Sequence, residues 1–305
     1  MCRERAIGIV CHDAGGAEII SSYILQEGLT ARFCLEGPAV KVFERKLGAI
    51  KREALLKVIS SSDSLLCGTS WESDLEWNSI KEANKQGKKV ISFLDHWVNY
   101  QERFVRNDLT LLPDEIWVGD VHAKVIAKNC FPNLKIKLVE NPYFSEITKI
   151  LNKFKSSNLK NNGALYVCEN ISDHMYLQHG DVNYLGYTEH DSLKFFLENL
   201  EKIDKNIKTI IIRPHPSEIN PEVKYSWIKQ HSSRFYYDIY FSKEDSLFQD
   251  ILDCKIVVGA ESMAMVIALQ FERRVISSIP LVQSYFSLPF DEIEHLHKIV
   301  NSDYV

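Results

Sequence analysis

The amino-acid sequence predicts an α/β protein made of two parallel-sheet halves. Short apolar runs alternate with amphipathic stretches along the 305 residues, a pattern typical of repeated strand–helix units. The alternation stops at residues 146–163, where a basic helix runs into a Ser-, Asn- and Lys-rich stretch of linker composition, and it restarts afterwards. We therefore expect an N-terminal domain over residues 1–145 and a C-terminal domain over residues 164–305.

Strands and helices are expected to alternate in the first half. Apolar runs predict strands at residues 6–11, 31–36, 64–68, 89–95, 115–120 and 136–141. Amphipathic patterns predict helices at residues 17–27, 42–48, 77–87 and 121–129. Such repeated units build a parallel sheet, and ligands of open parallel sheets bind at the carboxyl ends of the strands.

The second half repeats the pattern. Strands are predicted at residues 164–169, 208–213, 234–240, 255–260 and 274–279. Helices are predicted at residues 190–204, 245–252 and 261–271, and the tail 290–300 also has a helical pattern. Asp191 and Ser192 are candidates to cap the first of these helices. The economical architecture is two Rossmann-like domains that face each other across a cleft.

Charge and cysteine usage narrow the class of partner. The formal net charge is −5, which does not favour a nucleic-acid partner. The seven cysteines are scattered and form no CxxC pair, which favours a reducing compartment and argues against a zinc site. We find no signal-peptide core and no apolar run of about 18 residues, so we expect a cytoplasmic protein without a transmembrane segment. Peripheral membrane contact remains compatible with the sequence.

The first candidate site is the turn "CHDAGGAE" between a strand and a helix. Gly15 and Gly16 would let the backbone approach a ligand, but the turn is neither a GxGxxG motif nor a phosphate-binding P-loop. Asp13, next to His12, could act as a general base for a hydroxyl group. It could equally be the cap of the following helix, and the turn alone does not decide between these roles.

Two further loops are expected to line the same cleft. "GTSWES" follows a strand and offers Ser70, and "FLDHWVNYQERF" offers Asp95, His96 and Trp97. We interpret these residues, together with the glycine turn, as a wall that contacts the acceptor or substrate. Asp13, Asp95 and His96 all remain candidates for the base.

The second half offers two candidate elements for a phosphate. In "IIIRPHPSE" a buried strand ends in Arg213, and the prolines, Pro216 among them, hold His215 in a stiff turn. In "VVGAESMAM" a helix begins near Glu261 and Ser262, just after Gly259, where backbone N–H groups suit an anion. Each has a plain structural alternative, a strand stop in the first case and a helix cap in the second. Their presence in one domain favours nucleotide binding.

These residues resemble the motifs of GT-B glycosyltransferases, in particular bacterial sialyltransferases and polysialyltransferases. Asp13-Ala14-Gly15 is similar to the carboxylate motif of that family, His215-Pro216 to its His-Pro motif, and Ser262 to its later hydroxyl motif. Ala14 departs from the family pattern, as does Glu261-Ser262 in place of two hydroxyl residues. "RPHP" also occurs in polymerases that use CDP-activated donors. The glycine-turn, GTS-like and Glu-Ser elements also resemble the UDP-N-acetylglucosamine 2-epimerase group.

The resemblance implies an inverting, metal-independent glycosyltransferase. It would move a nine-carbon acidic sugar of the sialic, legionaminic or pseudaminic type from a CMP donor to a glycan or surface acceptor. Asp13 would be the base, and His215 with Arg213 would stabilise the departing CMP. No cofactor beyond the CMP-sugar co-substrate is implied. Alternatives are a UDP-sugar epimerase or hydrolase, a CDP-glycerol-type transferase and a non-catalytic protein that binds nucleotide sugars.

Overall fold

The structure is a computed structural model, and it describes residues 6–70, 73–154, 162–228, 237–243, 246–280 and 286–301. The chain divides into two compact units, Met1–Glu146 and Ile147–Val305. Part of the predicted linker, residues 155–161, lies outside the described residues, so the predicted domain boundaries remain a prediction. Each unit is described by itself below.

The described part of the first unit contains a six-stranded sheet in the order β2-β1-β3-β4-β7-β8, and every pairing in it is parallel. Its elements are β1 (Ile7–Cys11), α1 (Ala14–Glu27), β2 (Ala31–Leu35), α2 (Gly37–Leu47), α3 (Leu55–Ser60), β3 (Ser64–Cys67), α4 (Leu75–Lys85), β4 (Lys89–Leu94), β5 (Val105–Arg106), β6 (Leu109–Thr110), β7 (Glu115–Val118), α5 (Val121–Cys130), β8 (Lys135–Leu138) and α6 (Pro142–Phe154). A short 3-10 helix at Glu102–Phe104 precedes the β5–β6 hairpin.

The described part of the second unit also contains a six-stranded parallel sheet, in the order β11-β10-β9-β12-β13-β14. Its elements are β9 (Gly163–Val167), α7 (Ile171–His179), α8 (Glu189–Ile203), β10 (Thr209–Arg213), α9 (Pro221–Lys224), β11 (Asp238–Phe241), α10 (Leu247–Leu252), β12 (Ile256–Gly259), α11 (Met263–Gln270), β13 (Arg274–Ser277), β14 (Ile293–His295) and α12 (Leu296–Asn301). The α/β class with two Rossmann-like units is thus confirmed.

Burial explains why the central strands are continuous apolar runs. Helices cover both faces of a parallel sheet, so successive side chains on either face are removed from water. All described side chains of β7, β9 and β12 are accordingly buried. Phe93 in the first core and Phe196 in the second are fully enclosed. Each such side chain contributes about 1.5–3 kcal/mol to folding.

Several details differ from the sequence-based expectations. The tail 290–300 begins with strand β14 before it becomes helix α12, because Ile293 pairs beside Val275 of β13. Helix α8 is capped by Thr188 rather than by Asp191 or Ser192, and Asp191 instead completes a capping box with Thr188. Helices α3 and α7 and the β5–β6 hairpin were not predicted. Residues 234–236 of a predicted strand lie outside the described residues.

The strand order of each unit reverses at one place, which is where ligands of such sheets bind. In the first unit this switch point lies between β1 and β3, and in the second it lies between β9 and β12. The loops that follow these strands are therefore the candidate ligand sites. Within the described ranges, no helix is long and apolar enough to cross a membrane.

Candidate functional sites

The switch point of the first unit brings Asp13 and Ser70 together. Asp13 follows β1 and Ser70 follows β3, and the Ser70 hydroxyl donates to Asp13 Oδ1 over 2.9 Å. His12 Nδ1 lies 2.7 Å from the same oxygen. Asp13 stands at the N-cap position of α1, but its side chain makes no capping hydrogen bond. The carboxylate therefore faces the two loops rather than the helix it precedes, and Oδ2 has no donor among the described residues.

The two glycines of the turn are required by close approaches. A Cβ atom on Gly15 would overlap Asp95 Oδ2, and one on Gly16 would lie 3.3 Å from the Cα atom of Gly68. Gly15 thus lets the Asp95 carboxylate, at the end of β4, come over the start of α1. The predicted grouping of Asp13, Gly15, Ser70 and Asp95 at one edge of the sheet agrees with this geometry.

Arg103 joins two of these loops. Its Nη1 donates to Asp95 Oδ1 over 2.8 Å and to Thr69 Oγ1 over 2.8 Å. Both partners of the Arg103–Asp95 ion pair are largely enclosed, with 9% and 11% of the side chains exposed. Such a pair holds Asp95 in one orientation. The sequence did not assign this role to Arg103, because Thr69 comes from another loop and Asp95 lies eight residues earlier in the same one.

His96 and Trp97 are less accessible than a substrate wall requires. Trp97 is buried, and its indole Nε1 donates to Asp120 Oδ2 over 2.9 Å. Burial lowers the pKa of His96, although the nearby Asp95 carboxylate opposes that shift. The two ring centroids lie 5.5 Å apart, and the burial of Trp97 leaves little of its surface for the predicted contact with a substrate.

Glu76 is a residue of this site that the sequence did not reveal. It lies on α4, only 4% of it is exposed, and its Oε1 accepts a hydrogen bond from the His12 backbone N–H over 2.7 Å. Burial raises the pKa of Glu76 to about 7. Oε2 is buried without a hydrogen-bond partner in the part of the chain that the structure describes. A single acidic residue in an amphipathic helix does not indicate from the sequence whether it is buried or solvated.

In the second unit, Arg213 ends β10 as predicted and is anchored by a carboxylate. Its Nη1 lies 2.5 Å from Asp250 Oδ2, and Asp250 is almost fully buried. The Ser242 hydroxyl donates to the same oxygen over 2.6 Å. Arg213 therefore neutralises a buried acid of α10, a partner that the "RPHP" segment did not indicate.

The His215 ring has a defined hydrogen-bonding state. The backbone N–H of Ser217 donates to His215 Nδ1 over 3.2 Å, so in the neutral ring the proton resides on Nε2. Burial, reinforced by the nearby His174, lowers the pKa of His215. Neutral His215 consequently offers an Nε2–H donor. Pro216 is exposed beside it.

A buried ionic network fixes the turn that carries His215. Glu218 Oε2 accepts a hydrogen bond from the His215 backbone N–H over 2.8 Å. Lys224 Nζ then lies 2.8 Å from Glu218 Oε1 and 2.5 Å from Glu189 Oε1. The same Nζ donates to Asn170 Oδ1 over 2.9 Å. The turn is therefore held by a lysine and two carboxylates in addition to its prolines.

The start of α11 is occupied by side chains of the protein itself. The Ser262 hydroxyl caps α11 by accepting from the Ala264 N–H over 3.2 Å. Glu169, which follows β9, accepts with Oε1 from the backbone N–H groups of Ala260 over 3.1 Å and Glu261 over 2.8 Å. The N–H groups that the sequence assigned to a phosphate thus bind an internal carboxylate.

Gly259 and Glu261 take defined places around this turn. A Cβ atom on Gly259 would lie 2.8 Å from Val167 Cγ2, so glycine allows the turn to approach β9. The Glu261 carboxylate accepts hydrogen bonds from the hydroxyl and backbone N–H of Ser287. Burial raises the pKa of Glu261. Within the described residues, no group of three or more His, Cys, Asp or Glu side chains could hold a metal ion.

No family model matches the chain, and no curated protein matches its sequence. Among solved structures, it is similar to the UDP-GlcNAc 2-epimerase from Methanocaldococcus jannaschii, with a TM-score of 0.64, 11% identity and coverage of 98% of this chain and 92% of that one. It is also similar to the UDP-GlcNAc 2-epimerase from Neisseria meningitidis bound to UDP-GlcNAc. The TM-score is 0.60 and the identity 14%, and the match covers 98% of this chain and 90% of that one. A glycosyltransferase from Rickettsia africae is similar with a TM-score of 0.54 and 12% identity, and the match covers 91% of this chain and 79% of that one.

Similarity at this level of identity shows the fold alone. It agrees with the GT-B-like class, and with the part of the sequence-based resemblance that pointed to the epimerase group. Both epimerases are named for UDP-GlcNAc, and the Neisseria meningitidis structure has UDP-GlcNAc bound rather than a CMP-sugar. The chain therefore has the GT-B-like fold of two Rossmann-like units that it shares with UDP-GlcNAc 2-epimerases.

Proposed function

We propose that the chain is an enzyme that acts on a UDP-sugar by proton transfer, as an epimerase or a hydrolase. The observation that carries this proposal is the group of three carboxyls at the carboxyl edge of the first sheet. Asp13, Glu76 and Asp95 meet around one glycine turn in three different environments. Carboxyls held in different environments suit distinct acid and base roles.

The three carboxyls divide the required chemistry. Asp95 is held in one orientation by its ion pair with Arg103. Asp13 keeps Oδ2 without a donor among the described residues and is the natural base. Glu76, with a pKa of about 7, retains a proton near neutral pH and can return one through the site. Asp13 is thereby chosen over Asp95 and His96.

Epimerisation needs more than one proton-transferring group. Inverting C2 requires a base to take its proton while the C1–O bond to UDP breaks, so that the electron pair forms a C1–C2 double bond. An acid must then supply a proton to C2 from the opposite face as UDP adds back to C1. Hydrolysis requires a base for water and neutralisation of the departing diphosphate. Transfer to an acceptor hydroxyl needs a single base. The additional Glu76 therefore favours epimerisation over transfer.

The second unit would hold the nucleotide. His215 offers its Nε2–H, and the network of Lys224 and Glu218 keeps that donor in place. A donor held by rigid surroundings stabilises the negative charge that develops on a departing diphosphate. The similar Neisseria meningitidis structure has UDP-GlcNAc bound, which supports a UDP-sugar as the first ligand to test.

The test is to incubate the full chain with UDP-GlcNAc in D₂O, without an acceptor, and to follow the sugar by proton NMR. Epimerisation replaces the hydrogen at C2 by deuterium, and hydrolysis releases free UDP. The Asp13→Asn variant should remove both signals while it still binds UDP. If wild type shows neither exchange nor UDP release, the proposal is wrong.

A second candidate is the transfer of a CMP-activated nine-carbon sugar to a glycan or surface acceptor without a metal. The His215-Pro216 turn favours it, because the ring presents an Nε2–H donor beside an exposed proline. Thermal stability with CMP, CDP, UMP and UDP at equal concentrations separates the candidates, since a ligand that binds the folded protein more tightly raises its apparent stability more. A larger shift with CMP than with UDP would favour the transferase. Binding without turnover of any sugar would favour a non-catalytic binding protein.

A further inference from the structure

The turn of residues 260–262, here called the Ala260 turn, joins β12 to α11 at the switch point of the second unit. Two of its backbone N–H groups, those of Ala260 and Glu261, point at one oxygen, Glu169 Oε1. Adjacent N–H groups that converge in this way form an anion site. The group bound there is a carboxylate from the neighbouring strand end.

Glu169 and a ligand phosphate would use the same donors. Hydrogen bonds from backbone N–H groups to an ionised oxygen are short and strong, and each N–H serves one such acceptor well. The 2.8 Å bond from Glu261 N is of this kind. A phosphate oxygen can therefore take these N–H groups only when Glu169 gives them up.

The hold of Glu169 on the turn is weakened by its surroundings. Burial raises the pKa of Glu169 to about 7, and the neighbouring Glu261 carboxylate adds to that effect. The other titratable groups that act on Glu169 are Tyr187, ahead of α8, and Tyr166 and Cys168 at the end of β9. None of these three groups can carry a positive charge, so none of them opposes the rise in the pKa of Glu169 that burial causes.

We propose that Glu169 is an internal latch on the Ala260 turn, which the diphosphate of a nucleotide sugar must displace in order to bind. The proposal rests on the nucleotide-sugar function proposed above and assigns to Glu169 control over ligand affinity. Protonated Glu169 is a neutral competitor and ionised Glu169 a charged one that also repels the diphosphate. Ligand binding is consequently tighter at pH 6 than at pH 8.

The test compares the dissociation constant of UDP-glucose for wild type and Glu169→Gln at pH 6 and pH 8. Gln keeps the shape and carries no charge, so it resembles protonated Glu169. The ratio of the wild-type constant to the variant constant should rise about tenfold between the two pH values, as a single group with a pKa of about 7 requires. The ratio removes the contribution of His215, which both proteins contain.

Glu294→Gln is the matched control, since it removes the same kind of charge from the same sheet, at a residue that pairs with Arg274 and not with the Ala260 turn. It should retain a tenfold-scale dependence on pH. Glu169→Ala provides a second variant, and the thermal stability of each protein verifies that it is folded. If the ratio of the wild-type to the Glu169→Gln dissociation constant is equal at the two pH values, the latch proposal is overturned. Because UDP-glucose still binds in that case, the proposed function would stand.

Inorganic pyrophosphate separates the latch from the function. If UDP-glucose binds neither protein but pyrophosphate binds with the tenfold change in ratio, the latch stands and the UDP-sugar function falls. If neither ligand binds wild type or variant at either pH, both proposals are overturned.

Discussion

The acidic side chains at the carboxyl edges of the two sheets differ in how fully their oxygens are hydrogen-bonded. In the first unit, Asp13 and Glu76 each keep one oxygen without a donor among the described residues. In the second unit, Glu169 and Glu218 bond backbone N–H groups, and Lys224 reaches Glu218 as well. The first edge therefore has proton-accepting capacity to spare, whereas the second has committed its acids to holding loops.

The difference separates chemistry from binding on physical grounds. Glu76 is buried with one oxygen that lacks a donor among the described residues, so its charged form is costly and its pKa is raised to about 7. Glu218 accepts a hydrogen bond from the His215 backbone N–H and pairs with Lys224, and these bonds stabilise the conformation of its turn. The four predictions that follow test this separation.

Replacing Asp13 should have the largest effect. Asp13→Asn removes the proposed base but can still accept hydrogen bonds from Ser70 and His12. We expect turnover to fall by about 10²–10⁴-fold, the usual contribution of a general base. The measurement is the rate of UDP release or C2 deuteration. Ser70→Ala serves as a control and should lose less, because it removes one donor to Asp13. Equal rates for wild type and Asp13→Asn would contradict the division between the two edges.

Removing Lys224 tests whether the second edge is held by charge. Lys224→Met leaves Glu189 and Glu218, both buried, without their common cation. The free energy of unfolding should fall by about 3–5 kcal/mol, measured by urea denaturation.

Lys194 is the matched control for Lys224, since it faces Glu198 over 3.9 Å with both side chains exposed. Lys194→Met should change the free energy of unfolding by less than about 1 kcal/mol. Similar losses for the two variants would show that the buried network contributes nothing special.

The pH dependence of stability tests the protonation of Glu76. Its pKa is raised from an ordinary value of 4.5 to about 7 in the folded protein, so folding favours the protonated acid. This contribution is complete below pH 4.5 and is lost as the pH rises through 7. The loss amounts to about 3 kcal/mol at most, from 1.36 kcal/mol for each pKa unit.

Glu76→Gln removes that titration. Relative to wild type, the variant should gain stability between pH 5 and pH 8, by about 1–3 kcal/mol in the free energy of unfolding. Urea denaturation at the two pH values measures the gain. A stability difference that does not change with pH would mean that Glu76 is ionised in the folded protein throughout.

The smallest expected effect concerns the helix that supports the second edge. Thr188→Ala removes the side-chain cap of α8 and its bond to Asp191. The cost should be about 1 kcal/mol in the free energy of unfolding. Thr188→Ser keeps a hydroxyl and should lose only a fraction of that. Equal losses for Ala and Ser would assign the effect to the methyl group rather than to the cap.

Much of the first site could be predicted because its residues follow consecutive apolar strands. Parallel strands end at one edge, so Asp13, Ser70 and Asp95 were expected together, and glycines between a strand and a helix indicated a close approach. Arg103 and Glu76 could not be assigned. Each acts through a partner in another loop, and a charged residue in a short turn or an amphipathic helix looks the same whether it is solvated or buried.

The second site shows the same limit more strongly. "RPHP" placed Arg213 and His215 correctly at the end of a strand, but Asp250, which neutralises Arg213, lies on a different helix. The Ala260 turn is predicted to bind a ligand anion, and its N–H groups bond the Glu169 carboxylate, which the sequence did not indicate. Whether a donor is available depends on which side chain folds onto it, and that is a long-range contact.

By itself, the sequence determined the α/β class, most of the strands and the loops at which polar residues gather, because hydrophobic periodicity and turn chemistry act over a few neighbouring residues. Only the tertiary structure decided the strand order, the switch points and the partners of each carboxyl. Those depend on which strands pair across many residues, as β9 does with β12, and on how far each acid is removed from water. That is why Glu76 and Glu169 became visible only when the sheets were assembled.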